Sequence, residues 1–241
     1  MLKNIINIVL STISNILNIN ANYNKIKSKY NNLFSNVQII EEWLNKNSIM
    51  RHEYKNQLAV LYSISNELTV KEEIKEIIDK KLNANNQIVY DLYNIPNGGL
   101  KGLIYHKTMI ARNENINVVI ESNILSNNIL TKLSSKQIKD LFIIISFLYD
   151  KAIKEAKKSR KKQIIIEIYE ISNKISIIIS NTYKKLNKIK PDKKELNFIN
   201  RIIKNNHLIE KSEEVIDTYQ VRTISIRHQV HSKRDYYNAK K

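Results

Sequence analysis

Cysteine is absent from the 241 residues, so neither a disulfide framework nor a thiolate metal site is open to the chain. Glycine occurs three times and proline twice. Hairpin-rich all-β folds draw heavily on both, so their scarcity argues against that class. Long apolar runs are missing too. Met1 to Asn20 is apolar but broken every few residues by Asn and Ser. It lacks a cationic start followed by an unbroken apolar stretch, which excludes an ordinary secretory signal, and it is too polar for a membrane span. Phe142 to Leu148 is far too short for one. The expectation is a cytoplasmic protein whose first segment is an amphipathic helix, packed on a partner or lying on a membrane surface.

Acidic residues are in deficit: 23 Asp plus Glu stand against 40 Lys plus Arg, a net charge of +17. Such an excess attracts polyanions. The cations are spread along the chain rather than gathered in a stripe, and Ile, Asn and Lys dominate throughout. The charge therefore reads as compositional bias, and nucleic acid is not the expected partner.

A heptad runs through the first third. Ile26, Tyr30, Leu33, Val37, Ile40 and Leu44 alternate by four and three, and the same phase continues through Asn47 and Arg51 to Tyr54, Leu58, Leu61, Ser65 and Leu68. This spacing predicts a long helix packed in a coiled coil or bundle; a helix buried in its own domain is the alternative. Thr69 to Glu72 has capping-box spacing and predicts the start of a second helix, with Ile74, Ile78, Leu82, Asn85, Val89 and Leu92 as its seam. Two helices joined near residue 69 make an antiparallel hairpin, and two hairpins close into a four-helix bundle, so a homodimer is expected.

Ile95 to Gly99 holds one proline and two glycines and marks a boundary. Beyond it the period changes. A helix is predicted from Leu100 to Ala111, and a strand from Ile116 to Glu121. Ser134 and Gln137 are placed as a capping box opening a strongly apolar helix to about Lys158. Strands Gln163 to Glu170 and Lys174 to Ser180, a helix near Glu195 to Lys204, and strands Leu208 to Ile216 and Tyr219 to Arg227 follow. Helices interleaved with mostly antiparallel strands predict an α+β two-layer sandwich. The resulting division is 1–47 (helix or coiled coil), 48–95 (helical hairpin), 97–231 (sandwich) and 232–241 (basic tail).

The sharpest local feature is Arg51-His52-Glu53-Tyr54-Lys55-Asn56-Gln57. His52 and Asn56 are four apart and share a helix face. Neutral imidazole is a good nucleophile toward a phosphoryl group. Glu53, beside it, could accept the ring proton, and the Asn56 amide could steer phosphoryl oxygens. His207, His228 and His231 lack ligand spacing with carboxylates, so no metal site is expected. His106, Asp150 and Glu155 read as exposed helix residues.

The box from Arg51 to Gln57 resembles the phospho-acceptor box of the Agr-like, peptide-sensing sensor histidine kinases, with Glu53 where that family has Asp. Leu103, Ile104, Lys107 and Ala111 match the family's next helix, and the order of elements to Ile226 matches its GHKL ATP-binding fold. The resemblance implies a phosphorylated His52, a homodimer and a response-regulator receiver domain as partner. The departures fall on the nucleotide site. The family's Asn-Leu-Leu-Asp-Asn-Ala-Ile-Glu-Ala helix, whose asparagines hold magnesium and ATP phosphates, reads here from Phe147 through Asp150 and Lys151 to Ala156. Phe147 and Lys151 replace both asparagines, and a lysine cannot ligate a cation. No glycine occurs between Asn181 and Phe198, where the family has its phosphate loop. Asp150 and Lys151 are thus the remaining candidates at a weakened ATP site. An acceptor box on such a site resembles the sporulation initiation phosphotransferases. The expected function is phosphotransfer through His52. The alternatives are an active ATP-dependent histidine kinase without its own membrane sensor, and a pseudokinase that pairs with a full-length sensor kinase.

Overall fold

The computed structural model describes residues 2–65, 67–77, 92, 95, 98–123, 133–171, 174–184 and 192–227. Helix α1 runs unbroken over Leu2–Ile64, across the boundary expected at residue 47. Helix α2 covers Leu68–Glu76. The body that follows consists of α3 (Leu100–Asn113), β1 (Asn117–Asn123), α4 (Ser135–Ala156), β2 (Gln163–Ile171), β3 (Lys174–Thr182), α5 (Lys193–Asn205), β4 (Ile209–Ile216) and β5 (Tyr219–Arg227). Its class is α+β, as the sequence predicted. The rest of the expected hairpin arm beyond residue 77, the Ser172-Asn173 turn, residues 185–191 of the glycine-free stretch and the basic tail lie outside the described residues.

The five strands are ordered β1-β2-β3-β5-β4, with β1 parallel to β2 and the other pairs antiparallel. Period-two alternation decides which face is covered. Ile164, Ile166 and Ile168 on β2, Ile175, Ile177 and Ile179 on β3, and Ile224 and Ile226 on β5 are buried. Helix α4 lies on that face. Leu141 to Tyr149 are all buried, because the helix has the sheet on one side and α1 and α3 on the other. Its start is the expected capping box: Ser134 Oγ accepts from the Gln137 amide, and Gln137 Oε1 accepts from the Ser134 amide at 2.7 Å.

Two local expectations are corrected. Thr69 does not cap α2: the N-cap position is Glu67, two residues earlier, with no side-chain cap, so the connection closes two residues sooner than the spacing of Thr69 and Glu72 suggests. The seam of α1 is also not left entirely to a partner helix. Tyr30 and Val37 belong to the core of the body, and Tyr23, Ile26, Leu33 and Phe34 pack against it. Phe34 meets Phe142 edge-on with centroids 5.0 Å apart, and Tyr30 stacks on Phe198 at 6.1 Å. Glu195 of α5 accepts from Tyr30 at 2.7 Å and from Lys29 at 2.9 Å. Past Leu44 the character of α1 changes. From Ile49 to Gln57 every described side chain is exposed, and the next buried residue is Leu58.

Candidate functional site

His52 is exposed on α1, beyond the stretch that packs on the body. Helix geometry brings Asn56 one turn on, and its Nδ2 lies 3.2 Å from His52 Nδ1. With Nδ2 facing the ring, the amide donates to Nδ1, and Nε2 carries the proton. Turning the amide over presents Oδ1 instead, which accepts from Nδ1–H and frees the Nε2 lone pair. The second arrangement is the nucleophilic one, because Nε2 is then unprotonated. Glu53 is exposed. Adjacent residues project from different sides of a helix, so Asn56, rather than Glu53, is the group in contact with the ring.

Asp150 and Lys151 are both already partnered. Lys107, buried on α3, donates to Asp150 Oδ1 at 2.5 Å. Lys151 donates to Glu213 Oε1 of β4 at 2.6 Å. Phe147, at the other position the resemblance assigns to an asparagine, is buried in the core. Sequence reasoning read Asp150 and Glu155 as solvated; both are ion-paired, and Glu155 belongs to a network that the linear pattern missed. At its centre is Arg222 of β5, with 0% of its surface exposed. Its three nitrogens donate to Glu213 Oε1 at 3.0 Å, Asn181 Oδ1 at 2.5 Å and Glu155 Oε2 at 2.5 Å. Asn181 Nδ2 in turn donates to Glu155 Oε2 at 3.3 Å. The signal was present in β5: Arg222, Ile224 and Ile226 share one face by period two, and a cation on an apolar face requires acid partners.

Electrostatics follow from this closure. Burial alone would raise the Glu213 carboxyl. The hydrogen bond from Lys151 and the charges of Lys151, Arg222 and Lys211 outweigh it, and the group titrates below the ordinary glutamate value of 4.5. A depressed pKa means that the folded state holds the ionised form more firmly than the unfolded chain does. The stabilisation is therefore complete above pH 4.5 and is lost as pH falls through the lower folded value. Glu213→Gln is expected to cost about 1–3 kcal/mol near pH 7. The gap between variant and wild type should narrow at about pH 3. Urea midpoints at the two pH values check this, and a gap independent of pH contradicts it.

His106, expected on a helix surface, is half-buried. Its Nδ1 has no hydrogen-bond partner. Burial and then the adjacent Lys107 charge lower its pKa, with Asp150 opposing. His207 is exposed, and His228 and His231 lie outside the described residues. Among the described residues no group of His, Cys, Asp or Glu could hold a metal ion, and no helix is long and apolar enough to cross a membrane.

No protein-family model matches the chain, and no curated protein matches it. Solved structures similar to it include the catalytic domain of the histidine kinase ThkA, at 14% identity and TM-score 0.40 over 54% of this chain and 92% of that one. The blue-light activated histidine kinase of Erythrobacter litoralis is similar at 11% identity and TM-score 0.42, over 75% of this chain and 62% of that one. The histidine kinase AdeS of Acinetobacter baumannii is similar at 12% identity and TM-score 0.37, over 75% of this chain and 95% of that one.

Proposed function

We propose that the chain is a two-component phosphotransfer protein, in which His52 accepts a phosphoryl group from the aspartate of a response-regulator receiver domain and passes it on. The exposed His52–Asn56 pair supplies the nucleophile. In the transfer, the phosphorus–oxygen bond to the receiver's aspartate breaks and a phosphorus–nitrogen bond to Nε2 forms. The aspartate leaves as a carboxylate, and the Nδ1 proton stays on the ring against Asn56 Oδ1. Transfer of this kind depends mainly on positioning, and an exposed histidine is open to a second protein.

A single observation favours this reading over ATP-dependent autophosphorylation: the cation at the weakened nucleotide site is already committed. Lys151 is bound to Glu213, which also holds the buried Arg222. A polyphosphate reaching Lys151 would have to compete with that carboxylate, and breaking the Glu213–Arg222 contact would leave a buried cation short of an acceptor. Calorimetric titration with ATP, with and without magnesium, is expected to show no binding at millimolar nucleotide. Mixing with a phosphorylated cognate receiver is expected to move label onto His52. Sub-millimolar ATP binding accompanied by labelling from ATP overturns the proposal in favour of an active kinase.

The partner expected alongside a receiver is a second copy of the chain. Met50, Tyr54, Leu61 and Ile64 of α1 are large, apolar and exposed, and burying them in a homodimeric bundle would remove them from water. The same stripe supports the pseudokinase reading, pairing with a full-length sensor kinase. That reading wins if His52→Ala leaves signalling intact while charged substitutions along the stripe abolish it.

A further inference from the structure

The three glycines of the chain are Gly98, Gly99 and Gly102. All three are used at one contact, where α3 begins against α1. Gly98 and Gly99 have φ of 121° and 90°, a region that residues with a Cβ rarely adopt. In this conformation their consecutive amides both point at Glu41 of α1. Gly98 N–H donates to Oε1 at 3.0 Å, and Gly99 N–H donates to Oε2 at 2.5 Å. Glu41 is only 5% exposed.

Gly99 is the N-cap position of α3 and offers no side chain to its open amides. The Glu41 carboxylate supplies that cap from another helix, and its charge is favourable at a helix N-terminus. Gly102 meets a different need. A Cβ there would overlap the carbonyl oxygen of Val37, so only glycine lets the two helices approach this closely. A Cβ on Gly99 would come within 3.0 Å of the Phe34 ring. Lys101 Nζ donates to Asn45 Oδ1 at 3.4 Å on the same side. Phe34, Val37, Glu41 and Asn45 therefore meet the start of α3 on successive turns of α1.

We propose that Glu41, Gly98, Gly99 and Gly102 form an interhelix clamp that fixes the rotation and register of α1 against the sheet body. The consequence reaches His52. At 3.6 residues and 5.4 Å per turn, His52 lies about 16 Å further along α1 than Glu41 and within about 20° of the same side. Locking α1 at Glu41 thus sets the direction in which the acceptor ring faces relative to the body. Release of the clamp would free the helix to rotate or slide. The clamp does not depend on what His52 carries.

The absence of cysteine makes the test clean. Lys55→Cys on α1 and Lys158→Cys in the turn after α4, both exposed positions, take a spin-label pair for distance measurement on the full chain. Diluted into an excess of unlabelled chain, so that a dimer carries labels on one copy only, the otherwise unchanged protein should show one narrow distance. Glu41→Ala and Gly102→Leu should each broaden it or add a second population, while circular dichroism keeps the strand signal. Leu33→Ala removes apolar packing from the same helix without touching the clamp, and should leave the distance unchanged. If Gly102→Leu unfolds the whole protein, Glu41→Gln, which keeps one acceptor oxygen, replaces it in the same measurement. A broad distance without clamp substitutions, a narrow distance in the clamp variants, or equal broadening by Leu33→Ala overturns the proposal.

Discussion

His52→Ala should reduce transfer of phosphoryl label from a phosphorylated receiver to background, because no other group in this box offers a neutral nitrogen nucleophile. The label on the unsubstituted protein should be acid-labile and base-stable, as expected of a phosphorus–nitrogen bond, and its loss should leave the fold intact because His52 is exposed. The neighbours are expected to matter less. Asn56→Leu removes the amide that lies against Nδ1 and that, turned to present Oδ1, selects the Nε2-reactive tautomer. A loss of about tenfold in transfer rate corresponds to about 1.4 kcal/mol, roughly one hydrogen bond in the transition state. Asn56→Asp places a carboxylate oxygen against Nδ1–H and should retain most of the rate. Glu53→Gln should be the mildest, since Glu53 does not share the ring's side of the helix. Label that persists on the His52→Ala protein would remove the basis of the phosphotransfer reading.

Arg222→Ala should be the most destabilising substitution in the sheet body. The guanidinium is wholly buried and serves Glu155, Glu213 and Asn181 together. Its removal leaves two carboxylates facing each other around a void with their shared cation gone. Breaking a buried ion pair in this way costs about 3–5 kcal/mol, a large share of the roughly 5–15 kcal/mol that holds an ordinary domain together. The loss is electrostatic rather than volumetric, which makes the proposal separable. Arg222→Met combined with Glu155→Leu and Glu213→Leu removes the guanidinium and both its carboxylates at once and should recover part of the deficit, because an apolar replacement of a buried set is often neutral, while Lys151 and Lys211 lose Glu213 as their partner. Urea unfolding of the two variants decides it. A triple variant no more stable than Arg222→Ala would mean that the site depends on shape and not on unpaired charge.

Much of the body was legible along the chain. The isoleucine alternation of β2, β3 and β5 predicted strands, because a two-residue period has only one physical source. The capping box at Ser134 and Gln137 was equally readable, since it depends on a spacing of three along the chain and nothing distant. Thr69 and Glu72 have the same spacing without making the cap, because a capping box needs the chain to turn there and α2 starts at Leu68. The pairing of His52 with Asn56 was legible for the same local reason: four residues along a helix bring the two together wherever the helix is placed. The Arg222 network was not. Its members come from α4, β3, β4 and β5, and only the sheet register, with Glu213 opposite Arg222, brings them together.

The glycines show the same limit. Two of them beside a proline read as a boundary between domains, which is the common meaning of such a cluster. In the folded chain they join the helices on either side, through amides that a carboxylate 57 residues back in sequence engages. The long helix, the strand order along the chain, and the pairing of His52 with Asn56 were determined by the sequence itself, because each rests on period and short spacing. Which side of α1 is covered by the body, what neutralises Lys151, and where Glu41 finds its donors were decided only by tertiary structure. A period records that a stripe is apolar, and a composition records that charges exist; neither records what is brought opposite them. Contacts of that kind are set by the closure of distant segments onto one another, and in this protein they govern both the surroundings of Lys151 and the placement of His52.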